Sequence, residues 1–359
     1  MFENELKEEI LSVIFQCESE KECENLKDFF CDAMNQYKSK LNQYKSEVNQ
    51  HNAELNQHAD VDNANCCSSA SNSFDKDEKI ESIIETIREE LGDNYLALAP
   101  KENITIPTWS FNYESYNDTN TVHVDNFIYR DEDVDELCEA GKLNRNICAD
   151  CHSLNVQPAS LHQLRWLFEV AIPSLGLHNF TLLDVGSRLG SVLYSAYLYS
   201  SAKKIIGVEI NEYFHNLQLK VVKQEKLDDR ISLYLNDITS DAGLNLLSTV
   251  SPQIIIFNNV FQFFIGEKDE KSGNTSKSKL RKIWKVISNS IRKSGTIIVS
   301  IPSLEEQFAE AESPIDLTQW VRESYVGKNP RELKRFKKDY GLQLEDMNDI
   351  TSVFIYQVI

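Results

Sequence analysis

Between residues 180 and 301 five short apolar runs recur: FTLLDV (180–185), KIIGVEI (204–210), RISLYL (230–235), QIIIFN (253–258) and GTIIVSI (295–301). Helical or turn-rich segments separate them. Runs that stay apolar on consecutive residues belong to strands covered on both faces, and strands of that kind alternating with helices form a parallel sheet. A helix, LHQLRWLFEVAI from Leu161, leads into the first run, and LQLEDMNDITSVFIYQVI ends the chain as two runs joined by a short polar turn. The expected fold is therefore α/β: a doubly wound, Rossmann-like, mostly parallel sheet over residues 160–359, finished by a C-terminal antiparallel hairpin.

The residues before 160 read differently. Of the chain's 37 basic and 56 acidic side chains, 24 and 23 lie in 160–359, which leaves 13 and 33 for the front part. Such an acidic front repels phosphate backbones, so nucleic acid is disfavoured as a partner, and a solvated acidic extension accounts for it equally well as a basic partner. Residues 35–62 carry a seven-residue repeat (NQYKSKL, NQYKSEV, NQHNAEL, NQHADVD) with a seam of Met34, Tyr37, Leu41, Tyr44, Val48, His51, Leu55 and His58. Spacings of three and four suit a weak coiled coil self-associating through 34–58, although a lone solvated helix or an unstructured Asn/Gln-rich segment fits the polar seam as well. Residues 60–78 have no periodicity and are expected to be a flexible linker, followed by an amphipathic helix over Ile80–Leu91. The domain reading is 1–94 as acidic helical or disordered extension, 95–159 as a small irregular α+β region, and 160–359 as the α/β domain.

No run approaches the length of a membrane span, and the first residues lack a basic-then-apolar leader, so a cytoplasmic protein is expected, with the nucleus also open. All eight cysteines precede residue 152, scattered in a way that favours reduced thiols over a disulfide framework. Cys148 and Cys151 have metal-knuckle spacing, with Cys138 and His123 upstream; a structural zinc site needs a second such pair, so no metal is assigned.

In open α/β sheets ligands bind beyond the carboxyl ends of the strands. Those ends read Asp184-Val-Gly186-Ser187-Arg188-Leu-Gly190, then Glu209, then Asn236-Asp237-Ile238, then Asn258-Asn259-Val260-Phe261. Glycines at 186 and 190 allow a tight turn and close approach of a ligand. The acid that closes the second run, 25 positions beyond Asp184, can accept hydrogen bonds from two ribose hydroxyls, and Asp237 can accept from an adenine amino group. A nicotinamide cofactor fits less well, because its Gly-x-Gly-x-x-Gly loop brings backbone to a pyrophosphate, and here no glycine stands between Gly186 and Gly190.

Across residues 160–359 this series resembles the class I S-adenosylmethionine-dependent methyltransferases. In that family the first loop is acid-x-Gly-x-Gly-x-Gly. The resemblance implies S-adenosyl-L-methionine as cofactor, bound by Asp184, Gly186, Ser187, Arg188, Gly190, Glu209, Asp237 and Ile238. It places Asn258 and Asn259 at the catalytic position beside the methyl group, with Phe261 near the substrate. Arg188 departs from the pattern at the middle glycine. It either points away from the cofactor or pairs with its carboxylate, alters substrate choice, or blocks the site. The implied activity is methyl transfer to a protein side chain or small molecule; the alternative is a non-catalytic scaffold that keeps the fold. Two segments are candidate lids, 266–279 and 303–340, the second containing six basic residues between Lys328 and Lys338.

Overall fold

The computed structural model describes residues 69–100, 124–142, 159–261, 276–342 and 344–359. The heptad segment 34–58 with its self-association, Cys148, Cys151 and residues 266–275 lie outside the described residues. The described part opens with helix α1 (Ser69–Leu91) and a short helix α2 (Asp131–Glu139). Helix α3 (Leu161–Arg165) then runs on through a π-helical stretch, Trp166–Ala171. Ser160 starts it: its hydroxyl accepts from the Gln163 N–H while the Gln163 side chain accepts from the Ser160 N–H, a reciprocal cap.

The sheet follows. Strand β1 (Thr181–Val185) leads to α4 (Ser191–Tyr199), β2 (Lys204–Glu209) to α5 (Glu212–Gln224), β3 (Ile231–Leu235) to α6 (Asp241–Val250), and β4 (Ile254–Asn258) to α7 (Ser276–Ser290). After β5 (Ile297–Ile301) come α8 (Leu304–Glu310), β6 (Val321–Ser324), α9 (Pro330–Tyr340), α10 (Leu344–Thr351) and β7 (Phe354–Val358). The strand order is β3-β2-β1-β4-β5-β7-β6. β1 to β5 are mutually parallel, and β7 runs antiparallel to both neighbours, β5 and β6.

Side chains alternate across the sheet, so neighbouring strand residues feed opposite cores. Leu182, Ile205, Ile254 and Ile297 join one cluster with α1, α4 and α5, whereas Leu183, Ile206, Ile255 and Ile298 join the other with α7 and α8. Both faces of β1, β2, β4 and β5 are therefore covered, which is why those runs are continuously apolar, whereas the edge strand β3 is buried only at Ile231.

Three expectations are corrected. First, the boundary at 160 does not divide the structure: the compact unit spans Ala70–Ile359. Ile80, Ile83, Ile84, Ile87 and Leu91 are buried in the same cluster as Leu193, Phe214 and Val221, together with Ala97, Val124, Phe127 and Ile128. Second, residues 69–78 are helical rather than linker. Asp77 is tied to Arg165, and Lys79, two residues on, to Glu225 at 2.6 Å. A search for apolar period misses such ties. Third, the antiparallel pair that finishes the sheet is β6 with β7, not two halves of 342–358. Residues 344–351 are helical, with Met347 and Ile350 three apart facing the core, while β6 comes from the 303–340 segment expected as a lid. That segment is built into the sheet edge, held by Trp320, whose indole N–H donates to the Ile291 carbonyl at 2.8 Å. Residues 276–279 of the other candidate lid form the first turn of α7.

Helix α9 presents Phe336 inward, against Trp166 at 5.3 Å between ring centroids, and leaves Arg331, Lys334, Arg335, Lys337 and Lys338 exposed. The basic run is thus a solvated helix face. Among the described residues no helix is long and apolar enough to cross a membrane. Because Ile83 is fully buried between α1 and the sheet domain, Ile83→Ala is expected to cost about 2–5 kcal/mol, read as a lowered denaturation midpoint with an unchanged slope.

Candidate functional site

The strand order places β1 at the middle, with β2 and β4 on either side, and puts the carboxyl ends of β3, β2, β1 and β4 in one row. This is where the predicted residues fall. β1 delivers Asp184 as its penultimate residue, and the chain then turns sharply. The Gly186 N–H donates to the Val208 carbonyl at 2.8 Å and the Ser187 N–H to the same oxygen at 3.2 Å, folding the loop back over β2. Gly186 has φ +72, and a Cβ there would lie 2.3 Å from Val260 Cγ2, just past β4. Gly190, at φ +88, is the N-cap of α4, and a Cβ there would meet the Tyr194 ring at 2.6 Å. Both glycines are therefore required by the protein's own packing, whatever they do for a ligand.

Asp184 is 2 % exposed and Glu209 5 % exposed. They differ in how the burial is compensated. Glu209 accepts from two backbone donors, the Arg188 N–H at 2.7 Å on Oε2 and the Asn211 N–H at 2.7 Å on Oε1. Burial still pushes its carboxyl above the usual range, with these donors opposing. For Asp184 burial pushes the carboxyl well above the usual range, and the neighbouring Glu209 pushes it further; among the described residues no donor opposes. A buried carboxyl beside a second carboxylate, without a donor of its own, is a place that favours a positive charge or a hydrogen-bond donor arriving from elsewhere.

The Arg188 guanidinium has partners before the sheet and on α5. Nη1 donates to Asp125 Oδ2 at 3.0 Å, Nη2 donates to the Ala97 carbonyl at 2.9 Å, and the group lies 4.9 Å over the Phe214 ring. These contacts tie the side chain to the stretches around Ala97 and Asp125. Its backbone remains in the loop, at φ +42, and its carbonyl accepts from Gln218 Nε2.

Several predicted residues are engaged differently from expectation. Ser187 is buried, and its hydroxyl donates to Gln218 Oε1 at 3.1 Å, so it braces the loop against α5 rather than facing a ligand. Asp237 is exposed, with Oδ1 accepting from the Thr239 N–H (2.8 Å) and hydroxyl (2.7 Å); it shapes the turn and keeps its second oxygen. Ile238 is buried with Val185 and Leu247. Asn258 is half-buried at the end of β4. Asn259 is 7 % exposed with φ +50, its N–H donating to the Ile301 carbonyl at 2.7 Å, which ties the ends of β4 and β5. Phe261 is a correction: it packs edge-on against Trp284 at 5.2 Å and against Phe257 at 5.9 Å, in the aromatic core rather than on an open substrate wall.

Sequence reading missed two sets of residues. Ile210 is 67 % exposed and Leu235 47 % exposed, at the ends of β2 and β3 between Glu209 and Asp237. Apolar side chains left in water beside two acids suit the flat face of a base; the signal for Ile210 was its place directly after the strand-end acid Glu209, and Leu235 had none of that kind. Asp125 and Ala97, the partners of Arg188, had no local signal at all. Among the described residues no group of three or more His, Cys, Asp or Glu side chains could hold a metal ion, and Cys138 is in no disulfide.

No protein-family model matches the chain, and no curated protein matches it in sequence. Solved structures do. A precorrin-6y C5,15-methyltransferase from Geobacter metallireducens GS-15 is 17 % identical over 43 % of this chain and 70 % of its own, with a TM-score of 0.29. The C-terminal domain of the precorrin-6Y C5,15-methyltransferase of Rhodobacter capsulatus is also 17 % identical, over 43 % of this chain and 71 % of its own, at 0.26. An S-adenosylmethionine-dependent methyltransferase from Clostridium acetobutylicum ATCC 824 is 13 % identical over 39 % of this chain and 48 % of its own, at 0.26. Likenesses at this level carry no argument about activity. The order β3-β2-β1-β4-β5-β7-β6 with β7 reversed is a doubly wound, Rossmann-like sheet, the arrangement that the resemblance noted in the sequence implies.

Proposed function

We propose that the protein is an S-adenosylmethionine-dependent methyltransferase acting on a protein side chain or small molecule. One observation carries the reading: the buried Asp184 carboxyl near the end of β1, with no donor among the described residues and raised further by Glu209. The methionine part of the cofactor has an ammonium group and a sulfonium centre, and its ribose has two hydroxyls, so it would bring a positive charge to Asp184 and further donors to Glu209. When bound, the cofactor supplies a methyl group activated for displacement. Asp184 and the 186–190 backbone would hold the amino-acid part. Glu209 would accept from the ribose with acceptor capacity beyond its backbone donors. Ile210 and Leu235 would flank the base, and Asp237 would accept from its amino group. Asn258 would orient the acceptor, because displacement at a methyl group needs alignment and exclusion of water more than a strong base.

Titration sets the sign of a pH effect. Without ligand, Asp184 holds its proton to a higher pH than a free carboxyl does, so native stability falls as pH rises from the unfolded carboxyl value through the raised one. A cation placed beside Asp184 pulls that pKa down. Affinity for S-adenosylmethionine should therefore increase as pH rises through the raised pKa, with release of a proton on binding. Calorimetry in buffers of different ionisation enthalpy measures the proton directly; binding without release would count against Asp184 as the contact.

A non-catalytic scaffold is favoured by one feature, the two backbone donors that already occupy Glu209. Binding of S-adenosylhomocysteine separates the readings: a scaffold with a closed site does not take it up.

A further inference from the structure

We propose that Asp125 is a positioning residue for the loop 186–190: through Arg188 it latches the stretches around Ala97 and Asp125 to that loop, so that docking of these stretches and cofactor binding favour each other. The proposal rests on the cofactor reading above.

Arg188 sits at φ +42, a conformation that side-chain-bearing residues adopt only when their surroundings hold them there. A glycine would take it freely. What holds the arginine is its side chain, because the planar guanidinium reaches two acceptors from two separate stretches, Asp125 Oδ2 and the Ala97 carbonyl, and rests on Phe214. Asp125 is itself fixed. It is 4 % exposed, and its other oxygen accepts from the Phe127 N–H at 3.0 Å. Phe127 in turn stacks on Tyr194, whose ring covers Gly190.

The backbone of the same arginine supports the ligand-facing groups. Its N–H donates to Glu209 Oε2, and its carbonyl is held by Gln218, which also accepts from Ser187. Cutting the side chain free of Asp125 therefore releases the strained φ, and with it the donor that orients Glu209. Coupling of this kind is reciprocal: whatever factor the latch contributes to ligand affinity, the ligand returns to docking of the latch.

The test titrates S-adenosylhomocysteine into the full chain and into Asp125→Ala, Arg188→Ala, the double variant and Arg188→Lys. Hydrogen exchange over 186–190 is measured alongside in each ligand-free protein. Each alanine variant should weaken binding about tenfold or more. The double variant should be no weaker than the worse single, because both break one connection. Lysine, which keeps the charge but reaches one acceptor at a time, should be intermediate. Exchange over 186–190 should quicken in Asp125→Ala before any ligand is added, which a residue that merely fills the core would not cause.

A folded Asp125→Ala with wild-type affinity, additive losses in the double variant, or unchanged exchange overturns the latch and leaves the cofactor reading standing. If Asp125→Ala does not fold, Asp125→Asn and Arg188→Lys are judged by the same criteria. If the wild type takes up no S-adenosylhomocysteine, the cofactor reading fails and the coupling to ligand fails with it.

Discussion

A chain cut to begin at residue 160 is expected to aggregate or to melt without cooperativity, whereas one beginning at Ala70 should keep a cooperative transition. Five α1 side chains, Ile80, Ile83, Ile84, Ile87 and Leu91, are buried against the sheet domain. Each contributes about 1.5–3 kcal/mol when fully buried, so their loss together is on the order of 10 kcal/mol, as large as the whole stability of a typical domain. The cut also strips polar partners. Glu225 loses Lys79 and the Thr86 hydroxyl (2.6 Å), Arg165 loses Asp77, and Arg188 loses Asp125 and Ala97. Thermal unfolding followed by circular dichroism checks this. A sharp, reversible transition in the 160–359 fragment would mean that the front stretches are accessory.

The second large effect is a divergence between stability and binding. Asp184→Asn removes a carboxyl that burial and Glu209 both disfavour in its charged form, so at a pH above its raised pKa the variant should be more stable than the wild type. The same change removes the charge that a sulfonium or ammonium group would meet, and affinity for S-adenosylmethionine should fall on the order of a hundredfold. Gain of stability with loss of binding is the mark of a residue kept for function at a cost to the fold. Denaturant unfolding over a series of pH values and calorimetric titration of the same preparations measure the two sides. Lower stability in Asp184→Asn would show that the carboxylate is compensated within the fold, and that Asp184 is structural.

The parts of this molecule that were legible in the sequence are those encoded by local pattern. FTLLDV, KIIGVEI and QIIIFN announce buried parallel strands because both faces of each are covered, and Asp184 and Glu209 are conspicuous because acids seldom follow apolar runs without reason. What was not legible depends on long-range partners. Nothing near Asp125 marks it as the acceptor for Arg188, 63 residues away. Strand β6 is four residues of mixed polarity, VRES, which read as part of a loop until β7 pairs with it. Residues 344–351 looked strand-like beside the apolar end of the chain, yet their spacing of Met347 and Ile350 serves a helix. Phe261 follows the paired asparagines as an active-site aromatic would, and only the presence of Trp284 beside it reveals a core residue.

The measurement that bears most directly on the central claim is calorimetric titration of the full-length protein with S-adenosylhomocysteine, with Asp184→Ala as its control. One site per chain in the wild type, lost in Asp184→Ala while the variant stays folded, is the predicted result. An absence of binding to a folded wild type would contradict the cofactor site and leave the fold in use as a scaffold.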